Sequence, residues 1–108
     1  MSRPHLAVVP PNVNVAQVED AWRAIRTAKG APSTEHFTGV NFATWAGGTA
    51  SIYMHDREAF FAWAEHLGLA WQVKPIGRRS LYSARGDVNG LVVELAHSQF
   101  SDEGDVIA

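Results

Sequence analysis

Five histidines, His5, His36, His55, His66 and His97, are the residues best able to do chemistry in this chain. No two have the i, i+4 spacing of a helical zinc site, and no His-Glu-x-x-His is present. His55, Glu94 and His97 fall on predicted strands that can lie side by side, which makes them the candidate metal set. Glu94 and His97, however, are three apart on one strand and should point to opposite faces unless a bulge intervenes. Ordinary hydrogen-bonded histidines at strand ends are the expectation, and no metal or other cofactor is predicted.

Nucleophilic chemistry has less to stand on. There is no cysteine, which removes thiolate nucleophiles, disulfides and Cys-based metal sites. There is no Gly-x-Ser-x-Gly elbow, Gly47-Gly48-Thr49 is too short to cradle a phosphate, and no pair of carboxylates stands out. No catalytic residue is predicted.

A basic cluster follows: Lys74, Arg78, Arg79 and Arg85, with Tyr82 among them. On adjacent strands these residues can contact phosphates and stack on bases. The competing reading is that they keep a sheet edge soluble. The net charge of -2 favours the second, because no global field draws nucleic acid.

The elements that must position these residues can be read in order. Leu6 to Val9 reads as a short strand ended by Pro10-Pro11. Asn14, with Gln17 three residues on, is a capping box for a helix of about four turns. Its apolar stripe is Val18, Ala21, Trp22, Ile25 and Ala28, with Glu19 and Arg23 pairing on the outer face. Gly30 and Pro32 end it.

His36 to Trp45 is β-prone, with Gly39 marking a bulge or a close approach by another backbone. Ala46-Gly47-Gly48 turns the chain into a strand from Thr49 to His55, on which Ile52 and Met54 face one way and Ser51, Tyr53 and His55 the other. Asp56 caps a second helix through Leu67, whose Phe60, Trp63, Ala64 and Leu67 lie on one face and which Gly68 stops. Strands are expected over Ala70 to Pro75, Ser80 to Arg85 and Leu91 to His97, with a hairpin turn at Asn89-Gly90. The acidic stretch with Asp102, Glu103 and Asp105 is expected to be a frayed tail from about residue 99.

The predicted fold is α+β in a single domain over 1–108. Two helices pack on one face of a mostly antiparallel sheet, in the order β-α-β-β-α-β-β-β. Its first six elements follow a ferredoxin-like order. With 46% hydrophobic residues and 19% charged, the chain can bury a core without metal or disulfide. No apolar run approaches the ~20 residues that cross a bilayer, so a cytosolic location with no membrane partner is expected.

Eleven aromatic residues, four Trp, five Phe and two Tyr, are many for one small core. Phe61 lies about 100° off the stripe of its helix. Trp45, Tyr53, Trp71 and Tyr82 are candidates for the sheet face that two helices leave open. Phe61, Trp45, Tyr53 and Trp71 are therefore the predicted interface residues of a self-associating protein, expected as a homodimer.

Two resemblances add to this reading. The phrases Phe60-Phe61-Ala62-Trp63-Ala64-Glu65-His66-Leu67-Gly68-Leu69, Tyr82-Ser83-Ala84-Arg85-Gly86 and Gly90-Leu91-Val92-Val93-Glu94-Leu95 resemble small uncharacterised proteins of actinobacteria and their phages. An Arg-rich, Lys-poor composition, with only Lys29 and Lys74, is in keeping with high-GC bacterial genomes. That resemblance implies a common fold and carries over no catalytic residue.

The strand, helix and three strands from Thr49 to His97 resemble one module of the vicinal oxygen chelate (glyoxalase-like) superfamily. This resemblance implies a half-module that binds a metal or small molecule at a dimer interface, with ligands taken from strands, hence His55, Glu94 and His97. The leading expectation remains a small non-enzymatic interaction domain. Nucleic-acid binding through the basic cluster is the third reading.

Overall fold

A computed structural model describes residues 13–100. The order of elements within them is helix α1 (Val15–Arg26), strand β1 (Phe37–Ala43), a 3-10 turn (Trp45–Gly47), strand β2 (Thr49–Met54), helix α2 (Arg57–Leu67) and strands β3 (Trp71–Ile76), β4 (Arg79–Val88) and β5 (Leu91–Phe100). This is the α+β order read from the sequence. The expected first strand, Leu6 to Val9, lies outside the described residues.

Local signals explain most boundaries. The Asn14 side chain accepts from the Gln17 backbone N–H, and the Gln17 side chain accepts from the Asn14 N–H, both at 2.9 Å. Helix α1 ends at Arg26, earlier than its apolar pattern suggested, with Thr27 as C-cap. Arg23 pairs with Asp20 at 2.7 Å rather than with Glu19. Asp56 Oδ2 accepts from the Ala59 N–H at 2.9 Å, and Gly68 ends α2 in the left-handed conformation.

The two-residue turn at Asn89-Gly90 has positive φ at both residues, 53° and 88°, as a primed hairpin turn requires. Strand β4 extends to Val88, so Gly86 and Asp87 belong to the strand and not to the turn. Strand β5 likewise runs past His97 to Phe100, taking in Gln99, where a frayed tail was expected. The remainder of that tail lies outside the described residues.

The five strands lie in the spatial order β1-β2-β5-β4-β3. Every pairing is antiparallel except β2 with β5, which is parallel. The last strand in sequence therefore sits in the middle of the sheet, beside β2.

Both helices cover one face. Helix α1 lies over β1, β2 and β5, and α2 over β2 and β5. Between these layers Val18, Trp22 and Ile25 of α1 and Phe60, Trp63 and Ala64 of α2 are buried. They meet Ala50, Ile52 and Met54 of β2 and Leu91, Val93 and Leu95 of β5, the alternation expected of half-buried strands. Trp22, Phe37 and Trp63 pack with ring centroids 5.6–6.2 Å apart. The Trp63 indole N–H donates to the Ser33 carbonyl at 2.9 Å, which satisfies its buried polar atom. No described helix is long and apolar enough to cross a membrane.

Candidate functional site

The helix layer is narrower than the sheet. Its main contacts stop at β5, so β4 is only partly covered and β3 stands beyond it as an edge strand. All six residues of β3 are exposed. Trp71 is 48% exposed, Val73 47% and Ile76 51%.

Register decides which face each residue takes, because directly opposed residues share a face. Trp71 is opposite Ala84, and Val73 opposite Tyr82. Ala84 and Tyr82 in turn oppose Leu95 and His97, both buried. Trp71, Val73 and Tyr82 are therefore on the helix side of the sheet. Phe61, at the margin of α2, reaches across to them: its ring centroid is 4.8 Å from Trp71 and 5.8 Å from Tyr82. The result is a half-covered aromatic ledge of Phe61, Trp71, Val73 and Tyr82. Beside it lies a hollow of about 470 Å³ lined by Phe61, Glu65, Leu69, Ala70 and Trp71.

This splits the predicted interface set in two. Phe61 and Trp71 meet on the helix side, while Tyr53 and Trp45 belong to the other side. Trp71 and Tyr82 are thus not on the open face, a register that alternation within one strand cannot supply.

The open face is mostly polar. Ser51 donates to Glu94 Oε1 at 2.8 Å, and Arg85 Nε lies 3.4 Å from Glu94 Oε2. The Arg85 guanidinium is 5.9 Å from the Trp45 ring centre. Tyr53 lies over Gly39, and a β-carbon there would stand 3.6 Å from Tyr53 Cδ1, an ordinary contact distance. Of the two roles expected for Gly39 the structure shows the bulge, since the β1–β2 register shifts between Phe37 and Gly39.

The basic cluster is dispersed by the same geometry. Lys74, Arg79 and Arg85 fall on the open face by register, Arg78 is in the β3–β4 turn, and Tyr82 is on the helix side. Arg79 donates to Ser98 Oγ at 2.8 Å and sits 4.6 Å from the Phe100 ring centre. With Arg85 held by Glu94 as well, two of the four cations are engaged within the sheet, and Tyr82 cannot stack on a base bound to the others.

The candidate metal set does not converge. Glu94 is on the open face and His97 is buried on the helix side, as their spacing implied. His97 Nδ1 donates to the Met54 carbonyl at 3.0 Å, and its Nε2 lies 2.9 Å from Gln99 Oε1. His55 instead lies against His36, with ring centroids 5.0 Å apart. Sequence reasoning missed this pair because it depends on the bulge in β1. Among the described residues no group of three or more His, Asp or Glu side chains gathers as a metal site would require. No family model, curated protein or solved structure matches the chain.

Proposed function

We propose that this protein is a small non-enzymatic interaction domain that associates with a second copy of itself through strand β3 and the Phe61–Trp71 ledge. One observation carries the reading: an edge strand exposed on both faces, bearing Trp71, Val73 and Ile76 about half exposed. Exposed apolar groups gathered on one edge mark an interface more often than scattered ones do.

The backbone supports a seam between copies. The β3–β4 hairpin has a two-residue turn, Gly77-Arg78, with positive φ at Gly77, and closes on Ile76 opposite Arg79. Such a turn closes on a hydrogen-bonded pair, and hydrogen-bonded and non-bonded pairs alternate from there. Lys74 and Gln72 therefore bond inward to β4, while the backbone groups of Trp71, Val73 and Pro75 face the free edge. Pro75 can stand in β3 because its position asks for no N–H toward β4.

An antiparallel, two-fold pairing centred on Val73 sets Trp71 against Pro75 of the second copy and Lys74 against Gln72. Like charges do not meet in this register. Pro75 lacks an outward donor, which limits the seam to a short, closed contact. The cytosol is the compartment this reading assumes.

Light scattering of the full chain tests the idea. A mass of two chains, falling to one in Trp71→Lys with the circular-dichroism spectrum unchanged, is the expected result. A wild-type mass of one chain across a hundredfold concentration range overturns it.

A further inference from the structure

The bulge in β1 has a second effect at the open end of the β1–β2 hairpin. Past Gly39 the strands pair Gly39 with Tyr53, but before it Phe37 pairs with Met54. Without the extra residue His36 would stand opposite Asp56. With it, His36 stands opposite His55, and the His55 backbone N–H donates to the His36 carbonyl at 3.2 Å.

The hydrogen bonds around the two rings set where their protons belong. The His36 carbonyl also accepts from His55 Nδ1 at 3.1 Å. A carbonyl oxygen can only accept, so Nδ1 carries the proton and the neutral ring presents a lone pair at Nε2. That atom is 3.4 Å from His36 Nδ1. On the far side of the His36 ring, Nε2 faces the Glu35 carboxylate at 3.6 Å. That contact is longer than a hydrogen bond, and in the metal-free chain His36 Nδ1–H donates to the His55 Nε2 lone pair. A metal ion that displaces this one proton meets two ring nitrogens 3.4 Å apart.

The spacing fits a metal ion. Zinc binds imidazole nitrogen at ~2.0–2.1 Å in tetrahedral geometry, which holds two such nitrogens about 3.3–3.4 Å apart. The outward ring nitrogens meet a carboxylate and a backbone carbonyl, the acceptors that commonly orient metal-bound histidines. We infer that His36 and His55 form a two-histidine chelate for a divalent transition metal, zinc being the ion whose geometry matches. Water completes the coordination at this exposed edge, because among the described residues no third His, Asp or Glu joins the pair. The site lies just before β1 and just after β2, away from β3, and stands whether or not the protein self-associates.

Zinc titrated into the metal-free full chain at neutral pH, followed by calorimetry and by the ring-nitrogen shifts of the histidines, tests this inference. The expected result is saturable one-to-one binding that shifts His36 Nδ1 and His55 Nε2. Affinity should fall at least tenfold in His36→Gln and in His55→Gln and stay unchanged in His66→Gln. Glu35→Gln should weaken binding by a smaller factor, as loss of an orienting acceptor does. Amide spectra report that each variant keeps its fold. Absence of saturable binding to the wild type, or affinity unchanged in the double variant at 36 and 55, overturns the assignment. The second result would place zinc elsewhere, at His5 for example.

Discussion

Gly86 of β4 lies directly against Leu69, the residue that follows the cap of α2: a β-carbon built at Gly86 would stand 2.6 Å from Leu69 Cδ2. Leu69 is buried and its N–H donates to the Ala64 carbonyl at 2.8 Å, so it is held from both sides. The glycine is what lets the chain leaving α2 press onto the sheet. Gly86→Ala should force Leu69 out of place and cost about 1–3 kcal/mol by overpacking. Denaturant unfolding would show the loss, and Gly86→Ala should cost less when made in a Leu69→Ala background. An unchanged cost would mean that the clash lies elsewhere.

Alternation of backbone groups along β3 gives a sharper test of the edge. Val73→Pro removes an N–H that points to the free edge, so monomer stability should change little while self-association is lost. Lys74→Pro removes one that bonds to β4, and should destabilise the fold itself by about 3 kcal/mol or more. Equal destabilisation by both would contradict the inferred direction of the backbone groups.

Trp63 combines complete burial with a single hydrogen bond, to Ser33 O. Trp63→Phe leaves that carbonyl short of a donor and opens space among Trp22, Phe37 and His66. A loss of about 2–4 kcal/mol is expected from the two effects together. Thermal unfolding measures it, as a fall of roughly 4–8 °C for each kcal/mol in a domain of this size.

The caps of the helices are independent of these sites. Asp56→Ala should cost about 1 kcal/mol, and Asp56→Asn much less, because either side chain can accept from Ala59 N–H. Chemical denaturation of the two variants in parallel would decide it. Equal loss in both would assign Asp56 a charge-based role instead of a capping one.

Much of this architecture was written in short-range patterns. The Asn14–Gln17 box, the stripe of Phe60, Trp63 and Ala64, the stop at Gly68 and the Asn89-Gly90 turn are each set by residues within a few positions of one another. The buried alternation of Leu91, Val93 and Leu95 was legible for the same reason. What was hidden depends on strands far apart in sequence. Nothing near Trp71 tells which way it faces until its register with Ala84 and that of Ala84 with Leu95 are both known. The meeting of His36 and His55 required a bulge of a single residue, and Gly39 indicated its place without indicating its consequence.

The parallel pairing of β2 with β5 also governs how the chain can acquire its structure. The β1–β2 and β3–β4 hairpins each form from neighbouring residues, yet they share no strand contact until β5 enters between them. Thr49 pairs with Val92, and Met54 with His97, so closing the sheet joins segments more than forty residues apart. Such long-range pairing is the slow part of folding. Until the last strand is in place, β2 and β4 each present a bare edge, and Ile52, Met54 and Ala84 have no completed layer to cover. A chain shortened within β5 should therefore yield two separate hairpins prone to aggregation, not a smaller version of the same domain.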